Sequence, residues 1–377
     1  MRTIVDIRTV SDHFPGIGRY TYQLALGLVR CKDRESLLLL FNPESSNTRF
    51  DISALASEPD VRIVATAARP FTAREQLRLP GELQKLSPQA THFPYPIMPY
   101  AAPRPFVLTI HDIIPVRFPQ YFTVRQRIMY RISLSLALRS AACVICVSEA
   151  TRSDLISAFR VDSRLLFVVH EGIAESFQPP AKDELQRVRI AYGLPEKYFL
   201  YLGSNKPHKN LPMLIDAYAR LRSCPPLIVA GIEDSRYTLA RRRVDFLDLK
   251  DRVRFVGAVV ERDLPALYGG ALAFVFPSSY EGFGLPPLEA MACGVPVVCS
   301  NIPSLCEAVG NAALLFNSED PAAIAAALER ILQDEKLRTN LRDQGFRRAA
   351  ELPWSLAAEK TMSLYRRAAS HKATPIR

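Results

Sequence analysis

Long apolar runs are missing from this chain of 377 residues. No stretch approaches the roughly 18 consecutive apolar residues of a membrane-crossing helix, which excludes an integral membrane protein of that kind. Cysteine is sparse and odd in number: seven residues, scattered through apolar segments, make no disulfide framework. Only Cys143 and Cys146 form a C-x-x-C. They sit in a strand-like run, where a spacing of three points them to opposite faces. With no second pair and no histidine cluster, they read as small buried hydrophobes rather than a zinc site. An Asp-x-Asp pair beside a glycine loop is also absent, so no bound divalent metal is implied and no cofactor is called for. The net charge of +10 is shared by both halves, with no basic tail or acidic block, and nucleic acid is not an expected partner.

What is present is alternation. At this length two domains are the default. Strand-like runs alternate with helical ones, the mark of an α/β protein with parallel sheets. The first half offers Thr3–Ile7, Leu37–Phe41, Val61–Val64, Thr91–Phe93, Phe106–Ile110, Val144–Val147 and Leu166–Val169. Helical stretches run over Gly18 to Arg30, Arg125 to Leu138 and Ser148 to Phe159. Phe177-Gln178-Pro179-Pro180-Ala181 reads as a linker. A second series follows: Tyr198–Leu202, Leu227–Ala230, Val253–Val256, Ala273–Phe276, Val295–Cys299 and Ala313–Phe316. Residues 1–178, 179–353 and a final helical segment from 354 to 377 are the expected divisions, as two doubly wound halves with a cleft between them. Met-Arg-Thr-Ile-Val-Asp-Ile at the start is a first strand, too short for a signal peptide's apolar core, so residence on the cytoplasmic side is expected.

The run from Ser278 to Ser300 is the most informative part. A buried strand leads into Gly282 and Gly284, whose bare backbone can approach an anion. Pro286 and Pro287 suit the first turn of a helix, and Gly294 with Pro296 ends it. A helix N-terminus behind a glycine loop is a seat for phosphate. Glu281 falls on the loop and Glu289 in the same first turn, so both can face one ligand. Carboxylates repel phosphate and accept from hydroxyls instead, which points to a nucleotide sugar.

Glu281, Gly282, Phe283, Gly284, Leu285, Pro286, Glu289, Ala290, Ala292, Gly294, Pro296 and Val297 together resemble the signature of the family 4 glycosyltransferases. That family's signature is two glutamates with seven residues between them. The resemblance implies a GT-B fold of two Rossmann-like domains, with a C-terminal helix crossing back to the first domain. It implies a retaining transfer from a nucleotide sugar, which is a substrate and not a cofactor. Gly16-Ile17-Gly18-Arg19 looks like the family's N-terminal glycine loop, facing the donor phosphates and the acceptor. As a dinucleotide fingerprint it is weak, because Thr21 holds the third glycine's place. His111, ending a strand, resembles the histidine beside the transferred sugar, with Asp112 to orient it and His92 on the acceptor side. Gly203 and Lys209 resemble the phosphate-binding segment. Ser204 stands where the family has an arginine, which leaves Lys206 or His208 to supply the missing charge. Gly257 resembles the loop that reads the base.

The expected function is retaining transfer of a hexose, with mannose from GDP-mannose favoured, onto a surface-glycan or lipid-linked saccharide. Glucosyl, rhamnosyl or N-acetylhexosaminyl transfer from UDP or dTDP donors, and epimerisation of a nucleotide sugar, are the alternatives. Glu289 is expected at the ribose hydroxyls, Glu281 and His111 at the reacting sugar. Arg117, Arg125, Arg127, Arg131 and Arg139 occur between Asp112 and Glu149 with no acid among them, and the last four are interleaved with apolar residues. An anionic membrane surface is the partner that pattern suits.

Overall fold

A computed structural model describes residues 1–32 and 36–370. The chain forms two compact units, one of Met1–Gly172 with the closing helix Trp354–Ser370, the other of Ile173–Pro353.

Seven parallel strands make the sheet of the first unit: β1 (Thr3–Asp6), β2 (Leu37–Phe41), β3 (Val61–Ala65), β4 (Ala90–Phe93), β5 (Phe106–Ile110), β6 (Cys143–Cys146) and β7 (Leu166–Val168). Their order is β3-β2-β1-β4-β5-β6-β7. Every residue of β1, β4, β5 and β6 is buried, and none of these strands shows the apolar–polar alternation of a sheet with one wet face. Ile4, Leu38, Phe93, Leu108 and Val144 belong to one core. Cys143 and Cys146 are free and buried as expected, and burial pushes the Cys146 thiol up to about 12. The closing helix Trp354–Ser370 packs on the first helix, Pro15–Arg30, as the sequence implied.

The second unit holds β8 (Phe199–Leu202), β9 (Leu227–Ala230), β10 (Val253–Gly257), β11 (Ala273–Phe276), β12 (Val297–Ser300) and β13 (Ala313–Phe316). These are again parallel, in the order β10-β9-β8-β11-β12-β13. Phe199, Leu214, Leu227, Val275, Ile324 and Leu328 pack in its core.

In each sheet the strand order reverses once, between β1 and β4 and between β8 and β11. Loops leaving adjacent strands diverge there, opening a crevice at the strands' carboxyl ends where ligands of such sheets bind. The loops after β8 and β11 are residues 203–210 and 277–284, the two segments singled out from the sequence.

Candidate active-site residues in each unit

The helix after β11 spans Leu285–Ala292, and Gly284 is its N-cap with φ of +127°. A side chain there would be strained and would place a Cβ 2.5 Å from Leu305 Cδ2. Gly284 thus fixes where the helix begins, and that corrects the position of Glu289. It is the fifth helical residue, in the second turn, and no acid occupies the first turn. Its side chain is buried, the residue being 2 % exposed, and Oε2 accepts the Tyr268 hydroxyl at 3.0 Å. The two prolines also weaken the expected anion seat. Of the four end amides only those of Gly284 and Leu285 exist, since Pro286 and Pro287 carry no N–H.

Positive charge comes from the loop after β8. Lys209 Nζ donates to both carboxylate oxygens of Glu281, at 2.7 and 3.0 Å, and lies 5.3 Å from the centre of the Phe276 ring. The two side chains are only 19 % and 14 % exposed. They come together because β8 and β11 are neighbours, although 72 positions separate them. Nothing in the linear spacing of the two residues marks them as a pair. An ammonium has three N–H groups, so Lys209 can hold Glu281 and still donate to an anionic ligand.

Around them the loop is braced. The Ser204 carbonyl accepts from the Tyr201 hydroxyl at 2.6 Å, and the Asn205 amide donates to the carbonyls of Asp234 and Tyr237. His208 is buried, and desolvation, followed by the neighbouring Lys209, pushes its imidazole down to about 4. It is neutral at pH 7 and cannot replace the charge missing at Ser204. Lys206 is exposed and is the candidate that remains. Gly203 follows β8 directly, and Gly257 ends β10 with φ of +73° and open space on its Cβ side. Phe283, expected to touch the donor, turns its side chain into the protein, so only its backbone can serve; Gly282 and Leu285 are partly exposed beside it.

In the first unit His111 follows β5 and is held on four sides. Nδ1 meets Glu171 Oε1 at 3.1 Å and Nε2 meets the Pro94 carbonyl at 3.1 Å. Tyr20 packs edge-on to the ring at 4.5 Å, and the Thr151 hydroxyl donates to the His111 carbonyl at 3.2 Å. Both ring nitrogens are thus engaged, one by a carboxylate and one by a carbonyl, which fixes the plane of the imidazole. Glu171 therefore orients the ring, while Asp112 Oδ1 accepts the Ile114 amide at 2.9 Å just ahead of a short helix. An acid just past the end of β7 was the available signal for Glu171.

Two further expectations change. His92 is fully buried, with its nitrogens 2.7 Å from the Tyr365 hydroxyl and 2.8 Å from the Thr109 hydroxyl. Desolvation, with a smaller contribution from His111, pushes it down to about 3. It is a neutral core histidine clamping the closing helix to β4 and β5, with no nitrogen left for an acceptor. Gly16 and Gly18 lie not in a loop but in the first turn of Pro15–Arg30, because Pro15 starts that helix earlier than the apolar spacing indicated. Gly18 lets the turn press against the Thr9 carbonyl, where a Cβ would sit 2.7 Å away. Arg19 is half-buried in the same turn.

Two family models cover most of the chain: "Glycosyltransferase Family 4" over residues 15–177 and "Glycosyl transferases group 1" over residues 183–348. O-antigen chain mannosyltransferase B of Escherichia coli is 31 % identical across 97 % of this chain and 100 % of its own. The chain belongs to glycosyltransferase family 4. It is a glycosyltransferase of a retaining, metal-independent family. Among solved structures, sucrose-phosphate synthase of Thermosynechococcus elongatus superposes with a TM-score of 0.74 at 24 % identity, covering 97 % of this chain and 98 % of that one. The Anabaena protein HepE, solved with UDP and glucose, gives 0.73 at 19 % identity over 97 % and 99 %. At those identities the likeness is one of fold, and it is the GT-B fold expected of the family 4 transferases.

Proposed function

We propose that the enzyme transfers mannose from GDP-mannose, with retention, to a saccharide or lipid-linked saccharide of a surface glycan. The observation that carries the sugar is the end-to-end alignment with a mannosyltransferase of O-antigen chains. The chemistry rests on the Lys209–Glu281 pair at the switch point and on Glu289 in the helix that follows β11. Lys209 stabilises the departing diphosphate, with Lys206 as a second charge. Glu289 accepts from the ribose hydroxyls and Glu281 from the outer hydroxyls of the sugar, on the face of the leaving group. His111, from the first unit, contacts the sugar and supports developing positive charge through its carbonyl, while Arg19 serves the acceptor. A carboxylate tied to the diphosphate-binding lysine is poorly placed as a nucleophile behind the anomeric carbon. Retention therefore proceeds by front-face attack, with the leaving phosphate taking the acceptor's proton. A thermal-shift panel of GDP, UDP, dTDP and their sugars tests the donor, since a ligand of the native state raises the midpoint. Stabilisation by UDP or dTDP compounds alone would overturn the GDP-mannose assignment. An inverted anomer in the product, seen by NMR, would overturn the mechanism.

We further propose that the first unit binds an anionic membrane surface. Helix Val124–Ser140 exposes Val124, Ile128, Ile132 and Leu136, one per turn at 44–66 %, beside Met129 and the exposed Arg125, Arg127, Arg131 and Arg139. An apolar row edged by arginines is complementary to an anionic bilayer, where each arginine adds about 1 kcal/mol. Among the described residues no helix is long and apolar enough to cross a membrane. Flotation with phosphatidylglycerol vesicles, lost in Ile128→Ser/Ile132→Ser and absent with neutral lipid, is the expected result. Equal flotation of the variant would remove this surface.

A further inference from the structure

Loops leaving β1, β3 and β4 are fastened to one buried arginine that the reaction above does not use. Arg8 donates to the Asp6 carboxylate from Nε at 2.8 Å and from Nη2 at 2.6 Å. Nη2 also reaches Glu75 Oε1 at 2.7 Å and the Tyr95 hydroxyl at 2.8 Å, and Nη1 reaches the Ala68 carbonyl at 2.9 Å. Arg8, Asp6 and Glu75 are all fully buried. Burying such charges is weak evidence of stabilisation, but it fixes geometry.

What it fixes is Phe71. The other oxygen of Glu75 accepts the Phe71 amide at 2.8 Å, and Phe71 holds φ of +63°, a region in which a bulky side chain is an outlier. Held there, Phe71 is 41 % exposed. Its ring packs edge-on against Phe14 at 5.4 Å and Tyr95 at 5.3 Å, and Phe14 packs against His13 at 4.6 Å. Backbone strain kept in order to display an aromatic ring points to use of that ring. The location agrees. His13 and Phe14 follow β1 and Tyr95 follows β4, the two strands that flank the first sheet's switch point. Polar groups edge the rings: Arg49 donates to the Pro15 carbonyl at 3.1 Å, and Arg69 lies exposed near Glu44.

We propose that His13, Phe14 and Phe71 form a stacking ledge for a pyranose ring of the saccharide acceptor, with Arg8 and Glu75 as positioning residues. One face of a pyranose is a flat array of C–H bonds and its rim is hydroxyls, which matches aromatic rings with a charged border. The inference rests on the glycosyltransferase reading and adds the acceptor's subsite to it.

Saturation-transfer NMR with methyl α-mannopyranoside tests it, with calorimetry of GDP-mannose on the same samples. The wild type should saturate the ring C–H protons, Phe71→Trp should retain the signal, and Phe71→Ala should weaken binding roughly tenfold. Phe71→Gly is the sharpest variant. Glycine accepts φ of +63° without strain, so the signal should vanish while GDP-mannose binding is kept. No signal in the wild type, or an undiminished one in Phe71→Ala or Phe71→Gly, would overturn the ledge. GDP-mannose binding in those samples would show that the donor reading stands even so, and its absence in the wild type would fault that reading instead.

Discussion

Glu289→Gln should separate donor recognition from folding. The wild-type carboxylate is 2 % exposed and already accepts the Tyr268 hydroxyl, so it offers a ligand a charged acceptor in a place with little competing water. Hydrogen bonds to a charged group contribute about 1.5–3 kcal/mol. Losing that contribution at the ribose converts to roughly a 10- to 150-fold weaker Kd for GDP. Glutamine keeps an oxygen for Tyr268, so stability should fall by less than about 1 kcal/mol. Glu289→Ala removes both functions. It breaks the buried bond from the Tyr268 hydroxyl at a further cost of about 0.5–1.5 kcal/mol, or a few degrees in Tm. Calorimetric titration with GDP and a thermal melt of both variants decide the matter. Unchanged GDP affinity in Glu289→Gln would take Glu289 out of the donor site. Affinity lost only in Glu289→Ala, together with Tm, would make it a support for Tyr268 alone.

Acid should weaken the fold through His92 and His208. Their imidazoles lie at about 3 and about 4 in the folded chain and near 6.5 when unfolded, so below pH 6.5 the unfolded state binds more protons. Stability should therefore fall by about 1.4 kcal/mol per pH unit for each histidine as pH drops from 6.5 towards those values. Urea midpoints at pH 7, 6 and 5 measure the slope, and a His92→Gln variant with the same slope would refute the assignment. Glu281→Ala and His111→Ala should each lower kcat more than donor affinity, because their contacts matter most as the glycosidic bond breaks; equal losses in both would mean uniform binding instead. Turnover should survive EDTA, because in the proposed reaction the Lys209 ammonium supplies the charge that meets the diphosphate. Loss of activity restored by magnesium or manganese would show that account to be wrong.

All thirteen strands were legible, most directly the central ones such as β5, β6, β11 and β12, because a parallel strand buried on both faces needs apolar side chains along its whole length and such a run needs no knowledge of its neighbours. The linear spacing of glycine, proline and glutamate from 281 to 297 likewise carried the family and the chemistry, since strand, loop and helix there are contiguous. Helix starts were less legible. Gly284 and Pro15 each set a boundary through local backbone geometry, and so moved Glu289 into the second turn and Gly16 into a helix. The sequence could not order the strands, and the remaining surprises follow from that order. Lys209 meets Glu281 only because β8 lies beside β11. Glu171 reaches His111, and Arg8 collects Asp6, Glu75 and Tyr95, because loops distant in sequence leave one edge of the first sheet together. His92 looked like a ligand-side residue until the closing helix brought Tyr365 onto it. Chain-local pattern decided which elements form and which chemistry they carry; the partner of each charge was decided by packing between residues as far as 273 positions apart, which no local spacing encodes.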